Sequence, residues 1–361
     1  MELPLPELGE IHEHRDDPMQ YITGKTEALR VRNEEKDKFG EVFTPNKLIN
    51  DMLDKLPKEV WSDPTKKWLD PATGIGNFPM MVYKRLMDGL ATHPDFIDPA
   101  VRSEHIIRRM LYVVELNPQS CARIRSIFGS AANLWCNSFL DPIHFTDGTT
   151  QFDVIVGNPP FNADQTHEGP KGGGKNLWPE FVNKSLDNIV PGGYLLFVHP
   201  ALWRKPPSDR ARTLFDKMVH DNHMVYLEIH SKCSGQTFFG VQTRFDFYVI
   251  QKRRPTPGEI TTVKDQNSVD EQPLDLSRWR FLPNHSFELI EPLLSGKEEN
   301  YVIFSRTQYA TDKKDKDKDK TKMVQSFQDA TYQFPLIHST PIGGPRIYWS
   351  SKMNEDGKDC K

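Results

Sequence analysis

The chain has 361 residues, 37% hydrophobic and 27% charged, with a formal net charge of −4. A chain of this length buries roughly three quarters of its unfolded surface, so it needs neither disulfides nor a metal for stability, and two units or one elaborated domain are expected. The near-neutral balance excludes a uniformly basic nucleic-acid coat, and no apolar run approaches the roughly 18 residues of a membrane span. Cys121, Cys136, Cys233 and Cys360 are scattered without a C-x-x-C pair, which fits a reduced, intracellular protein better than a disulfide scaffold.

The acidic, proline-broken start MELPLPELGE does not read as a signal peptide, so a soluble protein of a bacterial cytoplasm or a virus-infected host cell is expected. Residues 1–38 are polar and aperiodic and read as an N-terminal arm. Thr44-Pro45 has the form of a helix start, with threonine as cap and proline in the first turn. Leu48, Ile49, Met52, Leu53 and Leu56 follow at helical spacing, and Pro57 stops the run.

Short apolar runs then recur at 67–69, 111–114, 134–136, 152–156, 194–198 and 224–227, with helical patterns between several of them. Trp178, Phe181, Val182, Leu186 and Ile189 share one helical face, and RFDFYVIQ at 244–251 reads as a further strand. Strands alternating with helices predict an α/β fold around a mostly parallel sheet over 39–254. From Ala201 to Ile260 ten Lys/Arg stand against six acids, which allows a basic face. After Pro255 helical periodicity fades, so 255–361 is expected to be a small, irregular C-terminal unit. Its run 312-DKKDKDKDKTK-322 mixes six lysines with four aspartates and reads as a solvated loop.

Two segments carry chemistry. In LDPATGIGNF (69–78) a strand ends at Asp70, and Gly74 and Gly76 let the backbone approach a ligand where a helix amino end offers N–H groups. A dinucleotide fingerprint would need a third glycine where Pro79 stands. Glu115, ending the next strand in VVELNP, sits where a doubly wound fold grips a ribose diol. The second segment, FDVIVGNPPFN (152–162), runs a strand into a rigid turn. Pro159 and Pro160 lack N–H donors and keep their carbonyls free, Asn158 adds an amide acceptor, and Phe161 offers a ring face. Acceptors beside a flat ring suit a planar ligand with an exocyclic amine.

At this point the sequence resembles the adenine-N6 DNA methyltransferases of the gamma arrangement, close to the restriction–modification methylases that carry GNPPF. GEVFTP, LDPATGIGNF, VVELNP, NSFL, FDVIVGNPPFN, GGYLLFVHP and RFDFYVIQ occur in that family's order over about 40–251. The resemblance implies a Rossmann-like S-adenosylmethionine-dependent methyltransferase sheet with helices on both faces, and a target-recognition or accessory role for 255–361. It implies that Phe43, Thr44 and Pro45 border the methionine part of S-adenosylmethionine, that Asp70, Ala72, Gly74 and Gly76 form the turn beneath it, and that Glu115 holds the ribose. Ser138-Phe139 stands where the family commonly has an Asp-Phe pair on the cofactor adenine; serine is the weaker acceptor, and Asp141 is a conceivable substitute.

Asn158, Pro159, Pro160 and Phe161 would hold a flipped-out adenine, with Phe161 stacking on it and Phe245 as a second aromatic. Lys171, Lys175, Arg204 and Lys205 are candidate DNA contacts. Double-stranded DNA is the expected partner, with a homodimer or a separate specificity subunit supplying recognition. Rival readings are a catalytically impaired DNA-binding or partner subunit, and transfer to cytosine-N4, RNA or protein glutamine. Gly169-x-x-x-x-Gly174-Lys175-Asn176 nearly spells a P-loop, but no strand leads into it and Asn176 lacks the hydroxyl that would bind magnesium. No metal is expected, because His220, His223, His230 and Cys233 lack a completing ligand set.

Overall fold

In a computed structural model of the chain, the residues described are 18, 44–161, 176–205, 213–294, 324–325, 327–330, 333–339 and 346–350. The arm at 1–38, apart from Pro18, and the charged run at 312–322 lie outside them. The chain divides into two compact units, Met1–His285 and Ser286–Lys361.

The first unit opens with α1 (Asn46–Leu53), followed by β1 (Trp68–Asp70), α2 (Asn77–Gly89), α3 (Pro99–His105), β2 (Leu111–Val114), α4 (Pro118–Phe128), β3 (Asn133–Trp135) and β4 (Phe152–Gly157). It continues through α5 (Trp178–Asn188), β5 (Ile189–Pro200), α6 (Leu214–Val219), β6 (His223–His230), α7 (Lys232–Phe239), β7 (Phe245–Gln251), β8 (Thr261–Lys264) and β9 (Gln272–Leu274). The strands form one sheet in the order β3-β2-β1-β4-β5-β7-β6-β8-β9. Strands β1 to β5 pair in parallel, and β7 runs antiparallel between β5 and β6. Strand order reverses between β1 and β4, which places a crevice at their carboxyl ends.

Alternation along the central strands builds the two layers. Val154 and Val156, Leu196 and Val198, and Phe247 and Val249 belong to the cluster containing Leu48, Ile49, Met52 and Leu53 of α1, Val82 and Leu86 of α2, and Ile124 and Ile127 of α4. Each such burial is worth roughly 1.5–3 kcal/mol, so the four apolar residues of α1 fasten the start of that helix to the sheet. On the opposite face Phe181 of α5 packs on Phe139, and Trp203 packs on Phe215 of α6 and on Tyr248. Helices therefore cover both faces, as the sequence implied.

Two expectations are corrected. The boundary at 254/255 does not hold: β8 pairs in parallel with β6 and β9 returns on β8, so 255–285 extends the first unit. Residues 286–361 are not merely irregular. Besides the short helix α8 (Phe287–Ile290) they include β10 (Val324–Gln325), β11 (Phe334–Ser339) and β12 (Arg346–Ser350), joined antiparallel in the order β10-β12-β11.

A buried polar network lies under β5. His199 is fully buried, stacks on Trp178 at 4.3 Å, and its Nδ1 donates to the Pro200 carbonyl, so Nε2 accepts from the Tyr248 hydroxyl at 2.8 Å. Burial pushes its pKa down from 6.5 to about 3. The unfolded chain then binds the proton more readily than the folded one, so the stability contributed by neutral His199 is complete above pH 6.5 and is lost as pH falls from 6.5 toward 3. Urea unfolding of the wild type is expected to lose up to about 1.4 kcal/mol per pH unit in that window through this one group, and a His199→Gln variant to lack that component of the slope.

Candidate active site

Of the sequence-predicted residues, Thr44, Asp70, Gly74, Gly76, Glu115 and Asn158 come together at the β1/β4 crevice. Asp70 ends β1 and is fully buried; its Oδ1 accepts from the Ala72 N–H at 3.1 Å. Burial, reinforced by the negative charge of Glu115, pushes its carboxyl well above the usual carboxylate range. Between Asp70 and α2 the backbone turns through Gly74 and Gly76, both with positive φ (54° and 99°), and Gly76 caps α2 in the left-handed region that only glycine enters freely. Glu115, just past β2, folds back over this turn, its Oε2 accepting from the Gly74 N–H at 2.6 Å and its Oε1 from the Asn117 N–H at 2.7 Å.

Gly157 ends β4 beside Asp70, and a Cβ there would stand 2.9 Å from Asp70 Oδ1. Asp70 is held by Ala72 and enclosed, so it has little room to withdraw. A Gly157→Ala variant is expected to bind S-adenosylmethionine on the order of tenfold more weakly, about 1.4 kcal/mol by calorimetry; unchanged affinity would mean that the position of Asp70 does not matter to the ligand.

Asn158 follows, and its Nδ2 donates to Thr44 Oγ1 at 3.0 Å across 114 positions of sequence. Thr44 is therefore not the helix cap its sequence suggests: Pro45 is the cap residue of α1, with no side-chain cap bond, and the Thr44 hydroxyl serves Asn158 instead. This bond fixes which way the Asn158 amide faces. Pro159 is buried, Pro160 half-buried, and Phe161 is 9% exposed. The Phe161 carbonyl accepts from the Leu177 N–H at 3.3 Å, which holds together the two ends of the segment 162–175.

Other assignments shift. Phe43, Lys171 and Lys175 lie outside the described residues. Phe245 is completely buried, stacked on His230 at 4.3 Å and edge-to-face with Phe239 at 4.8 Å, so it is not open to a base. The ring that reaches Phe161 is Phe239 at the end of α7, edge-on at 6.2 Å. The signal for it was the pair Phe238-Phe239 before Gly240; the strand-like RFDFY run drew attention one element too far. Arg204 is likewise not a DNA contact. It is 4% exposed, its Nε pairs with buried Asp246 at 2.7 Å, and its guanidinium donates to the carbonyls of Leu282 and Pro283 and to Asn284 Oδ1. Lys205 is exposed. Ser138 is half-buried and its Oγ accepts from the Leu140 N–H, while Asp141 is exposed. Phe139 is buried against Phe181, with Lys184 Nζ 5.3 Å from its ring, so protein covers its ring.

S-adenosylmethionine is the group these residues imply, and the crevice fits it on one structural ground besides the glycine turn. Asp70 Oδ2 is buried without a hydrogen-bond partner among the described residues, an acceptor in need of a donor. Among the described residues no group of three or more His, Cys, Asp or Glu could hold a metal ion, and no helix is long and apolar enough to cross a membrane.

Comparison with known proteins finds a family model and several similar chains. Residues 111–234 match the Eco57I restriction-modification methylase family; the match includes Glu115 and Asn158 and leaves out Thr44 and the glycine turn. An uncharacterized adenine-specific methylase of Mycoplasma pneumoniae is 25% identical over 61% of this chain and 68% of its own length. Among solved structures, the type I restriction enzyme EcoKI M protein aligns with a TM-score of 0.46 and 16% identity, over 63% of this chain and 48% of that one. A Listeria monocytogenes protein described as a class I S-adenosylmethionine-dependent methyltransferase aligns with a TM-score of 0.42 and 15% identity, over 67% and 70%. The chain thus spans about half the length of the M protein it matches. Residues 111–234 are thus similar to the Eco57I restriction-modification methylase family, within a nine-stranded α/β sheet.

Proposed function

We propose that this protein methylates DNA, moving a methyl group from S-adenosylmethionine to the N6 amine of an adenine. The observation that carries the reading is the Asn158–Thr44 hydrogen bond, which closes the N-P-P-F turn onto the start of α1 beside Asp70. Asp70, the Gly74–Gly76 turn, Thr44 and Glu115 hold the cofactor, which when bound supplies an electrophilic sulfonium methyl. Asn158 Oδ1 and the Pro159 carbonyl accept the two hydrogens of the target amine, which leaves the nitrogen lone pair pointing away from both. Phe161, backed by Phe239, stacks on the base. A paired adenine cannot enter such a turn, so the base leaves the duplex. Positioning and polarisation of the amine do most of the work, and no covalent enzyme intermediate is required.

Double-stranded DNA is the substrate, contacted by Lys205 and by the segment carrying Lys171 and Lys175. A second copy or a separate specificity subunit supplies recognition beyond the catalytic sheet. Phe139 under protein cover, with Ser138 in place of a carboxylate, favours one second reading, an impaired partner subunit that does not load the cofactor. Incubation with methyl-labelled S-adenosylmethionine and unmethylated DNA, RNA or protein separates these. Label entering DNA is expected, label confined to RNA or protein contradicts the proposal, and failure to bind the cofactor at all supports the impaired subunit.

A further inference from the structure

Cys121 and Cys136 are too far apart in sequence to read as a pair, yet the fold brings both against the backbone of one residue. Cys121 lies early in α4 and is buried, and its Sγ donates to the Glu115 carbonyl at 3.4 Å. Cys136 directly follows β3, and the Trp135 carbonyl before it accepts from the Glu115 N–H at 3.0 Å. Arg125 completes the arrangement. It stands one turn after Cys121 on α4, on the same helix face, and its Nη2 donates to Cys136 Sγ at 3.9 Å. The two thiols also meet directly: burial first, and then a side-chain hydrogen bond with Cys136, push the Cys121 thiol up.

The two sulfurs differ in access. Cys136 is exposed, whereas Cys121 is buried. An exposed thiol meets reagents from solvent first, and a buried neighbour reacts only with what the first has captured. Neither takes part in methyl transfer.

We propose that Cys121 and Cys136 are a thiol–disulfide pair whose oxidant is a low-molecular-weight disulfide. The Cys136 thiolate attacks one sulfur of that disulfide, forming a mixed disulfide and expelling a small thiolate, which takes up a proton. Cys121 then gives its proton to solvent and attacks the Cys136 sulfur, forming the Cys121–Cys136 bond and expelling the second small thiolate, which is protonated in turn. Two protein thiols are oxidised to one disulfide, and one small disulfide is reduced to two thiols. The new bond removes the S–H that the Glu115 carbonyl accepts and draws Cys136 from Arg125. Because the Glu115 carboxylate holds the Gly74 and Asn117 N–H groups, oxidation is felt in the crevice; this consequence rests on the S-adenosylmethionine reading.

The test uses the full chain carrying Cys233→Ser and Cys360→Ser, treated with glutathione disulfide. Tryptic mass spectrometry should find peptides joined through Cys121 and Cys136, in a protein lighter by two hydrogens, and dithiothreitol should reverse the change. Adding Cys121→Ser should stop the reaction at a glutathione adduct on Cys136. Adding Cys136→Ser, at an exposed position that folding does not depend on, should leave Cys121 unmodified. The oxidised protein should bind S-adenosylhomocysteine about two- to tenfold more weakly by calorimetry, the scale of one hydrogen bond, and recover on reduction. A lasting glutathione adduct on Cys136 while Cys121 is present, or modification of Cys121 in the Cys136→Ser protein, overturns the pair. Joined peptides with unchanged affinity overturn the link to Glu115 alone. A reduced protein that binds no S-adenosylhomocysteine overturns the cofactor reading and leaves the pair standing.

Discussion

Asn158→Ala is expected to lower methyl transfer to DNA by on the order of 10²–10³-fold, the scale of losing one preorganised hydrogen-bonding group at a reacting centre. The reason lies in what the amide does at both ends. Nδ2 is tied to Thr44, so Oδ1 waits in a fixed position and no reorganisation is needed when the amine arrives. Alanine removes the acceptor and also releases the Thr44 hydroxyl, but it leaves Asp70, Glu115 and the glycine turn as they are. The loss should therefore fall on kcat, with cofactor affinity by calorimetry within about twofold of wild type, as expected when an interaction made mainly in the transition state is removed. Thr44→Val, which keeps Oδ1 but frees the amide to rotate, should show a smaller loss of the same kind. Equal activity in Asn158→Ala and wild type would remove the turn from the chemistry.

The second large effect is on stability. Arg204→Ala should destabilise the first unit by about 3–5 kcal/mol, because it strands the Asp246 carboxylate in a fully buried site and leaves the carbonyls of Leu282 and Pro283 without their donor. Burial already pushes the Asp246 carboxyl up, and Arg204 pulls it back. Without the arginine the folded-state pKa rises further above the unfolded one. Folding then takes up a proton more readily, so the deficit should shrink as pH falls through that raised value. Restoring neutrality with Arg204→Met combined with Asp246→Asn should recover much of the loss, since replacing a buried pair costs far less than breaking it. Urea midpoints of the three proteins decide this. A single-variant loss below about 0.5 kcal/mol, the range of ordinary surface changes, would return Arg204 to the surface role that its sequence neighbourhood suggested.

These residues mark where the sequence was legible. Asp70, Gly74, Gly76, Glu115 and Asn158 sit at strand ends, and a strand followed by a glycine or proline turn is a local pattern that one sequence displays. The same holds for α1 and α5, whose apolar spacing became the buried faces Leu48, Ile49, Met52, Leu53 and Trp178, Phe181, Val182, Leu186. Arg204 was misread because its partner is 42 positions away, and nothing local distinguishes a buried arginine from a basic surface. Phe245 was misread because β7 is buried on both faces, so period-two alternation carries no information about which ring faces the crevice. The β8–β9 hairpin was missed because β8 reads Thr-Thr-Val-Lys, too short and polar to register as a strand without β6 beside it. Thr44 followed the capping rule in sequence and broke it in structure, because Asn158 competes for the same hydroxyl. That departure from local rules falls in the candidate active site, where such departures are expected.

The most direct test of the account identifies the nucleoside that is modified. Unmethylated duplex DNA treated with the protein and S-adenosylmethionine, then digested to nucleosides and analysed by mass spectrometry, should contain N6-methyldeoxyadenosine with wild-type protein and almost none with Asn158→Ala. N4-methyldeoxycytidine instead, or N6-methyldeoxyadenosine at equal levels with both proteins, would contradict it.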